Sequence, residues 1–274
     1  MSHREYQPII YNTHNTHNTH NTQKREFYAD LHTHTKHSDG MLSTEEMVDL
    51  AILMGLSALS ITDHDTLLGS DNAADYVSKN GLPIELIRGM EISSQDGHIL
   101  AYNIDDQIPP NLTLSECIRR IHRQNGIVII PHPEAKRING VPLWKIQTII
   151  DSEDPELYLD GIEIYNASEN QVSRLDGTGW VFKSISPAII NFIQKNKDNG
   201  KLGALMANSD THTRSVGYGK TGYQHHSIIA AIAKKETIPY KKVTSSIEDL
   251  SQTSLMFYAI LMSHIFGSMS IFKR

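Results

Sequence analysis

The chain has 274 residues, with 25 lysines and arginines against 31 aspartates and glutamates, so its formal net charge is −6. A chain of this length buries about 70–75% of its unfolded surface without disulfide bonds, and its single cysteine, Cys117, can form none within the chain. The acidic balance argues against a protein that coats nucleic acid, whereas the count of 15 histidines is unusual.

The amino-terminal segment, residues 1–25, is predicted to be a disordered tail. Residues 12–22 repeat Asn-Thr-His without an apolar member, and such a segment cannot bury enough surface to offset its ordering entropy. Its histidines, His14, His17 and His20, could hold a metal weakly, although a solvated tail is the favoured interpretation. No apolar run typical of a secretory signal follows the first residue, and together with the lone cysteine this indicates a cytoplasmic protein.

Short apolar strands alternate with helices from Phe27 onward. Strands are predicted, in chain order, at Phe27–Leu31, Ala58–Thr62, Pro83–Ile92, His98–Ile104, Ile127–Ile130, Gly161–Tyr165 and Leu202–Ala207. Helices are predicted from the capping box Ser43–Glu46 to Gly55, at Asp71–Lys79, from Thr113 to Asn125, and at Leu143–Ile150, Pro187–Lys197 and Ile228–Lys235. This alternation is typical of βα units around a mostly parallel sheet, either an α/β barrel or an open sheet, in one domain over residues 26–240.

Residues 241–274 are predicted to be an extension of this domain that contains an apolar helix. Residues 255–272 carry no charge, and Lys273 and Arg274 follow, which meets the lower length limit for a membrane span. Polar residues within the run, among them His264, weaken membrane insertion. A docking or dimer-forming helix is therefore favoured over membrane association, and the oligomeric state stays open.

Residues that bind divalent metals lie at the ends of at least five predicted strands. They are His32, His34, Asp39, His64, Glu91, His98, His132, Asp210 and His212. His32 and His34 are two apart on an extended chain, so both side chains point to one face, and Asp210 and His212 repeat this arrangement. A single histidine is more often structural, but that interpretation does not account for ligand-type residues after so many strands.

The donor types and their number indicate the cofactor. Imidazole and carboxylate without thiolate suit Zn²⁺, Mn²⁺ or Fe²⁺. One ion takes three or four protein ligands, so nine candidates predict two or three divalent ions that share a carboxylate. Three divalent ions would bring about +6 to one pocket and would attract phosphate without basic side chains.

These residues occur in the motifs Asp-Leu-His-Thr-His-Thr with Ser-Asp-Gly, Ile-Thr-Asp-His-Asp, Gly-Met-Glu, Pro-His-Pro and Ser-Asp-Thr-His. Together the motifs resemble the PHP family, which is named for DNA polymerases and histidinol phosphatases, over about residues 27–236. The resemblance is strongest to the stand-alone phosphoesterases that act on nucleotides or RNA 5′ ends. It implies a distorted (β/α)7-type barrel with a trinuclear metal centre at the carboxyl ends of the strands.

The resemblance also implies a ligand assignment and catalytic roles. The three ligand sets are, in order, His32, His34, Glu91 and Asp210; Glu91, His98 and His132; and Asp39, His64 and His212. Glu91 would bridge the first two ions, and Glu91, Asp210 and His212 would be the catalytic residues. A water whose pKa the ions lower towards ~7 would attack phosphorus.

Other charged side chains near the motifs are candidates for supporting roles. Lys136, Arg137 and Arg214 could contact a second phosphate or a nucleic-acid backbone, or they could be ordinary surface charges. Asp63 and Asp65 could orient ligand imidazoles, or they could be ordinary loop acids.

Three functions fit the pattern. The main prediction is a metal-dependent phosphoesterase that hydrolyses a phosphate monoester of a nucleotide or nucleotide bisphosphate. The alternatives are a 5′-3′ exonuclease on single-stranded RNA or DNA ends, which predicts a basic groove, and a non-catalytic metal-binding module. The presence of every motif ligand argues against the last alternative.

Overall fold

The computed structural model describes residues 6–9, 25–168 and 186–242. Its helices are α1 (Thr44–Leu53), α2 (Leu68–Asn80), α3 (Leu114–His122), α4 (Leu143–Ile150), α5 (Pro187–Asn196) and α6 (Ile228–Ala233). Its strands are β1 (Tyr6–Pro8), β2 (Phe27–Asp30), β3 (Ala58–Leu59), β4 (Glu85–Leu86), β5 (Gly89–Ser94), β6 (Gly97–Tyr102), β7 (Ile127–Ile130), β8 (Gly161–Asn166), β9 (Ala204–Asn208), β10 (Gly219–Tyr223) and β11 (Ile238–Lys242).

Two predicted features lie outside the described residues: the Asn-Thr-His repeat over 12–22 and the apolar helix over 255–272. Among the helices that the structure describes, none has both the length and the apolar character needed to cross a membrane.

The strands form two mixed sheets. The first has the order β1-β11-β10-β2-β3-β4 and the second the order β5-β6-β7-β8-β9. Of the nine strand pairs among the described residues, five are antiparallel. The predicted α/β class is confirmed, whereas the distorted (β/α)7-type barrel that the resemblance implies differs from the two mixed sheets observed.

The chain passes from one sheet to the other inside a run that the sequence predicts as a single strand. Pro83–Ile92 contains β4, which pairs with β3, and β5, which pairs with β6. Between them the Arg88 guanidinium donates to both carboxylate oxygens of Asp71 on α2. Because apolar residues continue on both sides of Arg88, at Leu86, Ile87 and Met90, the hydrophobic pattern does not reveal the break.

Three strands were not predicted, and one of them corrects the prediction for the amino-terminal tail. β1 pairs antiparallel with β11, and the Lys220 ammonium on β10 lies 3.4 Å from the centre of the Tyr6 ring and 3.8 Å from that of Tyr28. Disorder throughout residues 1–25 is therefore wrong for Tyr6–Pro8, because edge pairing and cation–π contact hold these residues. β10, with two glycines and a lysine, lacks a strand-like apolar pattern.

The parallel strand pairs bring the predicted ligands to one edge. β2 pairs in parallel with β3, while β7, β8 and β9 run parallel in the second sheet. Outside the regular strand pairs, isolated parallel bridges join Thr33 to Thr211 and His64 to Glu91 of β5. The two sheets therefore meet at the edge where the ligand motifs follow the strands.

Candidate metal centre

One oxygen of the Glu91 carboxylate and one of the Asp210 carboxylate face the same imidazoles. Glu91 Oε2 lies 3.2 Å from the Nε2 atoms of both His32 and His34 and 3.3 Å from His64 Nδ1. Asp210 Oδ1 lies 3.3 Å from His32 Nε2 and 3.1 Å from His34 Nε2. Imidazoles and a carboxylate that follow β2, β3 and β9 in the chain thus meet the Glu91 carboxylate, which belongs to β5.

The other Glu91 oxygen faces a second group. Oε1 lies 3.0 Å from His98 Nδ1 and 3.1 Å from His132 Nε2. His98 is the second residue of β6, and its backbone N–H donates to the carbonyl of Asn139 at 2.8 Å. Glu91 therefore lies between two sets of imidazoles, which is the position predicted for a bridging carboxylate.

Asp39 is at the centre of the third group, on the open side of the pocket. Its Oδ2 lies 3.2 Å from His212 Nε2 and 3.7 Å from His64 Nε2, and its Oδ1 lies 3.7 Å from His34 Nδ1. The side chains of Asp39 and His64 are 31% and 25% exposed, whereas those of His32, His34 and Glu91 are buried. A substrate would reach the centre from the Asp39 side.

The spacing of these atoms fits shared cations. With metal–ligand bonds of about 2.0–2.2 Å, donor atoms on one ion lie about 3–3.6 Å apart. Among the described residues, four buried imidazole nitrogens of the centre have no partner in the direction that a hydrogen bond requires, although carboxylates lie near some of them: His34 Nδ1, His34 Nε2, His64 Nδ1 and His132 Nδ1. The donor atoms fall into four overlapping groups, His34, Asp39, His64 and His212; His32, His34 and Glu91; His32, His132 and Asp210; and His64, Glu91 and His98. The residues present therefore fit divalent ions.

The carboxylates and imidazoles of the centre shift each other's pKa values. Burial alone would raise the pKa of Glu91 and Asp210, but the surrounding imidazoles outweigh it and hold the pKa of both carboxyls below its usual range. Burial alone would lower the pKa of His34, but Asp210 and Glu91 raise it to about 10. Burial lowers the pKa of His64 to about 4. The ionised carboxylates thus draw positive charge, as protons or as metal ions, into the pocket.

Two of the predicted ligands have a backbone conformation that is uncommon outside glycine. His132 has φ of 27° and Asp210 has φ of 52°. Hydrogen bonds hold both, because His132 N–H donates to Glu163 at 2.9 Å and Asp210 N–H donates to the His32 carbonyl at 2.8 Å. Such strain is typical of functional sites, where the surrounding structure imposes it.

The loop that carries Asp39 requires glycine at position 40. A Cβ on Gly40 would lie 2.2 Å from the His34 carbonyl oxygen. We expect Gly40→Ala to displace Asp39 and to remove one bound ion per chain, measured by elemental analysis of the folded variant. Gly200→Ala is the control, because a Cβ there meets no atom within 4 Å. An unchanged metal content in Gly40→Ala would contradict this role.

A sequence profile of the PHP domain matches residues 30–247. The chain belongs to the PHP domain family. An uncharacterized protein of Methanocaldococcus jannaschii is 30% identical over 150 residues, which are 51% of this chain and 81% of that protein. The family resemblance that the motifs indicated is thereby confirmed.

Relatives with named activities match shorter segments of this PHP protein. The 5′-3′ exoribonuclease Rnm of Salmonella typhimurium is 44% identical over 80 residues, 28% of this chain and 27% of that protein. A 3′,5′-nucleoside bisphosphate phosphatase of Chromobacterium violaceum is 36% identical over 84 residues, 29% of each chain. The matched segments span less than a third of these two relatives.

Solved structures share the PHP fold. A two-domain protein of Bacteroides vulgatus, which contains a predicted PHP-like metal-dependent phosphoesterase, aligns with a TM-score of 0.60 and 20% identity over 80% of this chain and 65% of that chain. An amidohydrolase of Chromobacterium violaceum aligns with a TM-score of 0.51 and 17% identity over 76% of this chain and 96% of that chain. Family membership supports the predicted enzyme class, a metal-dependent hydrolase.

The acids that flank His64 do not contact ligand imidazoles among the described residues of the PHP domain. Asp63 accepts hydrogen bonds from the Thr35 backbone and hydroxyl and from the Ser38 hydroxyl, and so fixes the loop before Asp39. Asp65 accepts from the backbone of Ser93 at 2.7 Å. Of the two alternatives for Asp63 and Asp65, these contacts support ordinary loop acids, because both carboxylates hold loop segments.

Sequence reasoning missed a buried carboxylate, Glu163 in β8, which contacts His32 Nδ1 at 3.0 Å. A signal was available, because Glu163 is the one charged residue in the strand Gly161–Asn166, which is otherwise apolar up to Tyr165. A charged residue that is buried in such a strand must have partners, and here they belong to the centre. The hydroxyl of Ser168 and the amide of Asn166 also contact Asp210.

The predicted substrate-binding residues lie on two sides of the centre. Arg214 is exposed and, with Lys36, Met41, Leu42, Glu46 and Thr213, lines a cavity of about 220 Å³. This cavity adjoins the Asp39 loop, where Met41 N–H donates to the His212 carbonyl at 2.8 Å. Lys136 and Arg137 are exposed in a separate 3-10 turn that ends against His98, and neither lines this cavity.

Proposed function

We propose that this chain hydrolyses a phosphate monoester of a nucleotide or nucleotide bisphosphate. The observation that carries the proposal is the convergence of nine ligand-type side chains on one pocket, buried except on its Asp39 side. When bound there, divalent ions would lower the pKa of a coordinated water towards ~7 and would neutralise charge that develops on phosphoryl oxygens.

The proposed ligands are His32, His34, Asp39, His64, Glu91, His98, His132, Asp210 and His212, and two or three ions of Zn²⁺, Mn²⁺ or Fe²⁺ suit their donor set. Glu91 would keep neighbouring cations close together with its two oxygens. Asp210 and His212 would be the other catalytic residues, since they join the buried group to the open one. Because a carbonyl oxygen can only accept, a neutral His212 carries its proton on Nδ1, 3.0 Å from the Asp210 carbonyl, and its Nε2 would be available to a cation shared with Asp39.

The cavity that contains Lys36 and Arg214 supports a substrate with a second anionic group. A phosphate held there would contact the positively charged side chains of Lys36 and Arg214. These residues follow the proposed ligands His34 and His212 by two positions each. Lys136 and Arg137 would serve the same purpose on the His98 side of the pocket. The bisphosphate phosphatase among the relatives supports this class of substrate.

We expect Arg214→Met to raise the KM for a nucleoside 3′,5′-bisphosphate about tenfold with little change in kcat, because one charge-assisted hydrogen bond is worth about 1.5 kcal/mol. Steady-state kinetics with the bisphosphate and with the corresponding monophosphate would measure the effect. Arg123→Met, which removes an exposed arginine on the carboxyl side of α3, is the control. Equal KM values for the wild type and Arg214→Met would exclude Arg214 from the substrate site.

A 5′-3′ exonuclease on single-stranded RNA or DNA ends is the second candidate, favoured by the exoribonuclease relative of 44% identity. The two candidates differ in their products. A phosphatase releases inorganic phosphate from a bisphosphate nucleotide, and its rate falls as the substrate grows into an oligomer. An exonuclease releases mononucleotides from a 5′-phosphorylated oligomer, and its rate rises with oligomer length. Product analysis over a series of one to twenty nucleotides would distinguish them.

A further inference from the structure

The carboxylate of Glu163 is fully buried and receives four hydrogen-bond donors. Its Oε1 lies 3.0 Å from His32 Nδ1 and 2.8 Å from the Asn208 side-chain nitrogen. Its Oε2 lies 2.9 Å from the His132 backbone nitrogen and 3.0 Å from the Asn166 side-chain nitrogen. One side chain thus connects residues of β8 and β9 with residues that follow β2 and β7.

The orientation of both asparagine amides is determined by their other partners. Asn208 Oδ1 accepts the Leu31 backbone N–H at 2.9 Å, so its NH₂ group faces Glu163. Asn166 Nδ2 also lies 3.2 Å from Asp210 Oδ2, and a nitrogen between two carboxylates can only donate. Each oxygen of Glu163 therefore receives at least one donor whose identity is fixed independently of His32.

We propose that Glu163 is a positioning residue that holds His32 as its Nδ1–H tautomer and so directs the bare Nε2 into the metal centre. An ionised carboxylate can only accept, so the His32 nitrogen that faces it carries the proton. The opposite nitrogen, Nε2, lies 3.2 Å from Glu91 Oε2 and 3.3 Å from Asp210 Oδ1, so it carries a proton only while no cation occupies the space between them. When a cation displaces that proton, Glu163 keeps the proton on Nδ1 and Nε2 presents its lone pair to the cation. The inference rests on the proposed function in that it takes this centre to bind cations.

Glutamine cannot replace Glu163 without a clash of donors, because its NH₂ group would have to face another hydrogen-bond donor at one of the two positions that the carboxylate oxygens now occupy. If its NH₂ group faced His132 N–H and Asn166, donors would meet donors at that end. If it faced His32 instead, the imidazole would have to move its proton to Nε2, where the proton would occupy the position of a metal ion. Both arrangements disturb the centre while they keep the size of the side chain.

The decisive comparison is metal binding by Glu163→Gln and by a matched control elsewhere in the fold. Asp160 lies directly before β8, where its Oδ2 accepts the Val128 backbone N–H at 2.8 Å and lies 3.3 Å from His122 Nε2. Asp160→Asn therefore makes the same chemical change at a carboxylate–imidazole pair outside the centre. We expect Mn²⁺ affinity, measured by titration calorimetry on folded protein, to fall about 10–100-fold in Glu163→Gln and to stay within twofold of wild type in Asp160→Asn.

Wild-type affinity in a folded Glu163→Gln variant would overturn the proposal, as would an equal loss in Asp160→Asn. If Glu163→Gln does not fold, nitrogen NMR of the Zn²⁺-loaded wild type decides. A proton on His32 Nδ1 supports the proposal, and a proton on Nε2 overturns it. Neither measurement uses a substrate, so an inactive protein that binds Mn²⁺ as expected would contradict the proposed function and leave the role of Glu163 intact.

Discussion

Replacing Glu91 by glutamine is expected to lower phosphoesterase activity by about 10³-fold or more and to reduce the number of bound ions. The size of the effect follows because metal ions stabilise the transition state by several kcal/mol, and a tenfold change in rate corresponds to about 1.4 kcal/mol. The reason lies in the contacts of its two oxygens. One faces three imidazoles and the other faces two, so a neutral amide would remove the charge that keeps neighbouring cations together. An amide nitrogen at either position would also repel the cation it faces.

The control is Glu85→Gln, a half-buried glutamate on β4 that is not among the nine candidates. Activity and metal content should be measured on the same preparations, with circular dichroism to show that both variants are folded. A folded Glu91→Gln variant with wild-type activity would exclude a bridging role. Loss of activity with unchanged metal content would mean that Glu91 acts in some other way than by holding ions.

Removing the metal is expected to abolish activity and to lower the melting temperature. Ions at about 100 times their dissociation constant stabilise a fold by about 2.7 kcal/mol, which corresponds to roughly 5–10 °C for a domain of this size. The physical reason is that ionised Glu91 and Asp210 are buried and draw protons onto imidazoles such as His34 when no ion is bound. Because these protons must leave when an ion binds, affinity should fall as the pH is lowered.

Differential scanning calorimetry of chelator-treated protein, with and without added Mn²⁺ or Zn²⁺, measures this effect. Mg²⁺ serves as a comparison ion, because it prefers oxygen ligands and suits an imidazole-rich site poorly. Restored activity together with a higher melting temperature would support the centre. An equal melting temperature with and without the ions, at saturating concentration, would contradict it.

The elements predicted best are those whose sequence signal lies within the element itself. The strand Ile127–Ile130 and the helix Leu143–Ile150 were predicted with the bounds observed, because an apolar β-branched run and an apolar helical repeat are local signals. Pairing is not local. The antiparallel strand β11 pairs with β1 across more than 230 positions of the chain, and β10 pairs with β2 across more than 190. The residues of β10 and β11 show no strand pattern. The sheet order, and with it the lack of closure, could not be predicted from local patterns.

The candidate site was more predictable than the sheet order, for a chemical reason. Ligand-type residues at strand ends are visible in the sequence, and parallel strands bring their ends together whatever the order of the sheet. The sequence does not show which of these residues would bind the same metal ion. One of the four donor groups contains the whole predicted set Asp39, His64 and His212, and another contains three of the four ligands of the first set. The remaining two groups, His32 with His132 and Asp210, and His64 with Glu91 and His98, cut across the predicted sets. Glu163 was missed because its role depends on donors from three other segments.

Anomalous diffraction from crystals grown with Mn²⁺ tests the central claim most directly. We predict two or three anomalous peaks in the pocket, with Glu91 in contact with at least two of them and His32 bound through Nε2. The contradicting result would be well-ordered density for these side chains at saturating Mn²⁺ with no anomalous peak within bonding distance of Glu91.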